Sequence, residues 1–235
     1  MKVEIWSDVV CPWCYIGKRR FEAALDRFEH RDDVEVEWKS FELDPGAHSA
    51  GSAGGYAERL AKKYSMSLAK AQDMLDSMTA AAAAEGLDFH FERAVASNTF
   101  DAHQVIHLAG LHGVQDQVKE RLLRAYFTEG EPVGDRDALV RLAAEAGMDP
   151  AEVRQALDEQ MYADAVRADQ AEAASFGISG VPFFVVDRKY GVSGAQPAEA
   201  LLQVLKRAWT ESSPLIMADA GSGDAIVCGP DGCSV

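Results

Sequence analysis

The sequence predicts an α/β fold in which a strand–helix–strand unit and a strand–strand–helix unit are separated by a long helical block. Three observations predict it. Apolar and polar residues alternate near the N terminus, the alternation returns after residue 180, and the stretch between carries helical periodicity.

Val3 and Ile5 alternate with Lys2 and Glu4, the pattern of a strand facing a core. After Cys14, Phe21, Ala24, Leu25 and Phe28 fall at the i, i+3, i+4, i+7 positions of an amphipathic helix. Val34, Val36 and Trp38 then alternate with Glu35, Glu37 and Lys39 as a second strand. This order suits parallel pairing through a helical crossover. Ala47 to Gly55, rich in Gly, Ser and Ala, reads as a loop. From Tyr56 to Phe176 helices are expected, with Gly86, Gly113, Gly130, Gly147 and Gly177 just past their ends. Asn98 reads as an N-cap, and Asp149-Pro150 as a cap followed by proline in the first turn. Pro182 to Val186 and Tyr190 to Ser193 are strands joined by a turn at Asp187-Arg188-Lys189. A last helix begins near Pro197 and carries Ala200, Leu201, Val204 and Leu205 to Trp209. Beyond Ser212-Ser213-Pro214 lies a small-residue, acidic tail.

Composition narrows the function. The chain has 23 basic and 38 acidic residues, a net charge of −15. Such an excess repels phosphate backbones and anionic lipid, so neither nucleic acid nor membrane is an expected partner. Met1 leads directly into the first strand without the basic, apolar and small-residue pattern of a secretory signal, which argues for a cytosolic location.

Four cysteines form two close pairs, Cys11/Cys14 and Cys228/Cys233. Cys11-Pro12-Trp13-Cys14 sits where a strand ends and a helix starts. Unpaired N–H groups and partial positive charge at a helix N terminus favour a thiolate, so the Cys11 pKa is expected to fall below that of a free cysteine. Pro12 suits the first helical turn, and Cys14, one turn on, can resolve a mixed disulfide formed at Cys11. A zinc knuckle shares the spacing but normally sits on a turn with further ligands nearby. The reading is therefore a redox pair that needs no organic cofactor, with no metal site, acting on protein or small-molecule thiols and disulfides.

The run Ser7-Asp8-Val9-Val10-Cys11-Pro12-Trp13-Cys14-Tyr15-Ile16-Gly17 resembles the signature of the DsbA-like oxidoreductases, most of all their FrnE-like cytosolic branch. The likeness extends to about Trp209. It implies a thioredoxin-like domain from residues 1–50 and 177–210, a helical insertion at 51–176 between the second and third strands, and a tail at 211–235. It also implies that the Val181-Pro182 bond is cis and lies against the cysteines, with the Val181 backbone offered to an extended substrate. The segment from Asn98 to His103 resembles one that recurs in the family's insertion, which marks both residues as a candidate substrate pocket. Trp13 stands where the strongly oxidising periplasmic relatives carry histidine, so their oxidising power does not carry over. Kappa-type glutathione transferases and chromene-carboxylate isomerases share this architecture but typically have serine where Cys11 stands and lack the second cysteine.

Other signals leave alternatives open. His103 and His107 stand four apart, yet Gln104 occupies the place of a zinc protease's glutamate, and both read as ordinary helix histidines. Asp8 is a base if buried and an ordinary strand-end acid if exposed. In Cys228-Gly229-Pro230-Asp231-Gly232-Cys233, a tight turn folds the chain back. That pair reads as a second redox centre on a tail long enough to reach its own or a neighbour's active site, as a passive clip, as part of a four-cysteine zinc site, or as unpaired thiols. A zinc- or redox-binding module with holdase behaviour is the non-enzymatic alternative.

Overall fold

The first alternation forms strand β1 (Lys2–Ser7), the amphipathic stripe forms helix α1 (Pro12–Asp26), and the second alternation forms β2 (Glu35–Ser40). The computed structural model describes residues 1–47 and 55–212, and the backbone of Cys228–Gly229 and Gly232–Cys233. Residues 48–54 of the expected loop, the thiols of Cys228 and Cys233, and the rest of the tail lie outside the described residues.

β1 pairs in parallel with β2, from Lys2 opposite Glu35 to Ser7 opposite Ser40. Strands β3 (Phe183–Val186) and β4 (Tyr190–Ser193) form an antiparallel hairpin, and β3 pairs antiparallel with β1. The sheet order is β2-β1-β3-β4. Asp187 and Arg188 both take positive φ, 47° and 52°, as a tight hairpin turn requires. The Asp187 carboxylate accepts the Lys2 N–H at 2.7 Å and ties that turn to β1.

Each face of the sheet buries a different set of side chains. Val3, Ile5, Phe184 and Val186 pack against Phe21 and Ala24 of α1 and Leu201 and Leu205 of α9 (Ala198–Ser212). On the other face Trp6 and Val185 meet Ala173 and Ile178. Ala173 belongs to α8 (Ala163–Ser175), the last helix of the block.

The helical block comprises α2 (Tyr56–Lys63), α3 (Leu68–Ala84), α4 (Phe100–Leu111), α5 (Gln115–Arg124), α6 (Arg136–Glu145), α7 (Pro150–Asp158) and α8. A π-helical turn, Ala125–Glu129, follows α5. All five punctuating glycines take positive φ. Asp149 caps α7 by accepting the Ala151 N–H at 2.7 Å. At α4 the expected cap is displaced by one residue: Thr99 is the N-cap, and Asn98 accepts the Phe100 N–H at 2.9 Å from outside the helix. One hydrophobic cluster runs from β1 through α1 into Leu122, Leu139 and Val153 of this block.

β2 is an edge strand, and an uncovered edge invites foreign pairing. The block covers it with side chains. Gln115 accepts the Trp38 N–H at 2.8 Å and donates to the Trp38 carbonyl at 3.1 Å. Asp169 of α8 accepts the Ser40 N–H at 2.8 Å, pairs with Lys39 at 2.9 Å and lies 3.0 Å from His107 of α4. Burial opposes its charge, yet His107, the Ser40 N–H and Lys39 together hold the Asp169 carboxyl below its ordinary range.

At the end of the sheet, Gly17 of α1 faces the Pro182 ring. A Cβ on Gly17 would lie 2.9 Å from Pro182 Cγ and 3.5 Å from the Ala195 Cβ. Only glycine lets helix and strand approach this closely.

Two outcomes follow. Asp169→Ala leaves the buried Ser40 N–H without its acceptor and Lys39 with only Glu37 and Glu172, and should cost about 1–3 kcal/mol in urea unfolding at neutral pH. Because the folded carboxyl titrates below its unfolded value, its stabilisation is complete above about pH 4 and is lost as pH falls; the gap between wild type and variant should therefore close in acid. Gly17→Ala gains about 1 kcal/mol of helix propensity. It loses about 1–3 kcal/mol to overpacking against Pro182. The net expectation is a lower melting temperature, read by circular dichroism.

Candidate active site

Cys11 is the N-cap of α1 and Pro12 occupies its first turn. The Cys14 N–H donates to the Cys11 carbonyl at 3.1 Å, so the first turn closes directly on the residue that precedes the helix. Both cysteines carry free thiols, and both are buried, Cys11 at 4% exposure and Cys14 at 1%. Trp13 between them is 41% exposed and marks the face open to solvent.

Across from Cys11 the chain enters β3 through a cis Val181-Pro182 bond. The Cys11 thiol donates to the Val181 carbonyl at 3.6 Å. The Val181 carbonyl is therefore engaged by the cysteine itself in this state.

The electrostatics correct one expectation. Cys11 does not titrate low. Its hydrogen bond with Cys14, then burial, push the Cys11 thiol well above the ordinary value. Cys14 goes the other way: burial opposes its ionisation, but the Cys11 hydrogen bond, the Lys119 ammonium and the Ser7 hydroxyl outweigh it. Two thiols this close titrate as a pair. The pair holds its second proton more tightly than its first. Sequence reasoning applied the helix N terminus to Cys11 alone and omitted its partner sulfur.

Behind the pair sits a buried polar layer. Asp8, fully buried, accepts the Leu43 N–H at 2.8 Å, and its other oxygen lies 3.4 Å from Nε2 of buried His103. That separation is long for a hydrogen bond and acts as a Coulombic contact. Burial opposes the Asp8 charge, but His103 and the Leu43 N–H hold its carboxyl low. Lys119 of α5 comes within 3.4 Å of the Ser7 carbonyl.

Helix α5 is clamped to α1. Buried Lys18 pairs with Glu22, with Asp116 at 3.1 Å and with Glu120 at 3.2 Å. Tyr15 donates to Glu120 at 2.6 Å, and Arg19 pairs with the same carboxylate.

The two residues expected to share a substrate pocket are separated. Asn98 lines a cavity of about 350 Å³ with Phe100, Asp101, Gly134, Arg136 and Gln160, whereas His103 is turned inward onto Asp8. His107 lies on the Ser40–Asp169 network, so the two α4 histidines serve different neighbours. Cys228 and Cys233 face each other as backbone partners in a short antiparallel ladder, which is the fold-back expected of that turn. Sequence reasoning missed Lys119, for which an isolated lysine on a helix gives no signal.

Residues 2–206 match the family model of the DSBA-like thioredoxin domain. A probable DsbA oxidoreductase from Streptomyces coelicolor has 49% sequence identity, covers 100% of this chain and 99% of its own, and superposes with a TM-score of 0.86. The uncharacterized protein YwbO of Bacillus subtilis is 31% identical over 186 residues, 78% of this chain and 86% of that protein. The cytosolic disulfide reductase DsbM from Pseudomonas aeruginosa, also solved with GSH, shares the fold at 18% identity, with a TM-score of 0.61 over 90% of this chain and 100% of its own. The chain belongs to the DsbA-like thioredoxin-domain family of thiol–disulfide oxidoreductases.

Proposed function

We propose that the chain exchanges thiols and disulfides through Cys11 and Cys14, with the mixed disulfide formed at Cys11. The observation that carries this reading is the pair of free, buried thiols at the start of α1, with Cys11 donating to the backbone that precedes the cis proline. In the reducing direction the shared proton passes from Cys11 to Cys14. The Cys11 thiolate then attacks one sulfur of the substrate disulfide and expels the other as a thiolate. Cys14, once deprotonated, attacks Cys11 Sγ, breaks the mixed disulfide and releases the second substrate thiolate. Two electrons leave the pair, two protons end on the substrate thiols, and Cys11–Cys14 is left as a disulfide. In the oxidising direction the same steps run backward.

Burial of both sulfurs restricts attack to the rim marked by Trp13 and Val181, which suits an extended peptide or a small disulfide. DsbM, solved with GSH, supports glutathione as one such small thiol. A transferase or isomerase of the same fold would need one activated group and no resolving thiol. The pairing of Cys11 with Cys14 favours exchange chemistry instead. The tail cysteines, brought opposite each other by their backbone, are the natural second pair to exchange with the first.

Insulin-disulfide reduction with dithiothreitol tests the reading. Cys11→Ser should lower the rate to the uncatalysed level. Cys228→Ser/Cys233→Ser should keep the chemistry and change only its rate. Full activity in Cys11→Ser would overturn the assignment.

A further inference from the structure

The exchange chemistry uses two sulfurs and needs the backbone opposite them held in place. That backbone is Val181-Pro182, and its two carbonyls have different partners. The Val181 carbonyl accepts from the Cys11 thiol at 3.6 Å, and the Pro182 carbonyl accepts the Gly194 N–H at 2.8 Å. The first bond requires the thiol proton. It is lost when Cys11 enters a disulfide, and the Val181 carbonyl is then free to accept an N–H from an extended chain. The second bond comes from the loop that follows β4 and needs no sulfur proton.

Arg20 ties that loop to α1. It follows Gly17 by three positions and so shares its face of the helix. Its guanidinium donates from Nη1 to the Ala195 carbonyl at 2.7 Å and from Nε to the Glu85 carboxylate at 2.6 Å. Glu85 is the C-cap of α3, in the helical block. The two side chains are 22% and 24% exposed. A freely exposed ion pair would add little. A planar guanidinium that bonds a carboxylate and a backbone carbonyl at once fixes both in direction. Arg19, the preceding residue, turns instead to Glu22 and Glu120. Ala195 also packs beside Gly17, which offers it no side chain, so Arg20 sets the distance of the loop from the helix. The contacts run from Glu85 through Arg20 to Ala195, one residue back to Gly194, and across to Pro182.

We propose that Arg20 is a positioning residue for exchange on polypeptides: braced by Glu85, it holds the 194–196 loop, and through it the Val181-Pro182 backbone, at the spacing from Cys11 that an extended disulfide substrate requires. The inference rests on the exchange reading above. Arg20 touches no reacting atom. Its effect is confined to substrates that lay a peptide backbone along Val181, whereas a disulfide without peptide groups meets only Cys11. The helical block then contributes to substrate choice through Glu85.

Arg20→Met keeps most of the side-chain length and removes both donors. Stopped-flow oxidation of the pre-reduced protein compares two substrates, a disulfide-linked dimer of an unstructured peptide and hydroxyethyl disulfide, which has no amide. The rate constant with the peptide should fall about tenfold, and that with hydroxyethyl disulfide should stay within about twofold. A merely structural arginine would lower the melting temperature and slow both substrates alike. Should Arg20→Met not fold, Glu85→Gln carries the test. It keeps the Ala195 bond, weakens the brace, and should show the same selective loss at about threefold. Equal losses on the two substrates, or no loss with the peptide in a folded variant, would overturn the proposal. A wild type that reduced neither disulfide would instead overturn the exchange reading itself.

Discussion

The backbone of Gly17 lies so close to the Pro182 ring that no side chain fits between them, and the placing of both cysteines depends on that contact. It joins the first turns of α1 to the start of β3, elements more than 160 residues apart in sequence. With the two held together, Cys11 reaches the Val181 carbonyl and Cys14 is turned inward toward the polar layer. The sheet, with α1 and α9 on one face and α8 on the other, is the frame that makes this approach rigid.

The helical block has two physical tasks. It closes the free edge of β2 with side chains, Gln115 on Trp38 and Asp169 on Ser40, where a further strand would otherwise be needed. It also brings α5 against α1 through Lys18, Arg19 and Tyr15, and with α5 comes the buried Lys119 ammonium, 3.4 Å from the Ser7 carbonyl. The same docking thus serves the edge of the sheet and the electrostatics of the thiols. A charged clamp suits this joint, since each carboxylate there answers several donors.

Much of this was legible in the sequence, and the reason is local. Strands β1 and β2 show in the alternation of Val3, Ile5 and of Val34, Val36, Trp38, because a two-residue period is read within a few positions. The helix ends show in glycines that must take positive φ. The cysteine pair shows through its strand-to-helix setting. The rest depends on contacts that spacing does not encode. Asn98 misplaced a cap by one residue because its side chain bonds the backbone two positions on, outside the helix. His103 and Asn98, five apart, point to different places because one faces the core and the other a surface cavity. The Cys11 thiol is held high by a partner sulfur that comes close only once the turn is formed, and by burial. Lys119 is invisible until α5 is docked.

The central claim is that chemistry begins at Cys11, and trapping the covalent intermediate tests it most directly. Cys14→Ser protein incubated with oxidised glutathione, digested and mapped by mass spectrometry should carry glutathione on the peptide containing Cys11. An adduct confined to the Cys228/Cys233 peptide, or none at all in folded protein, would contradict the account.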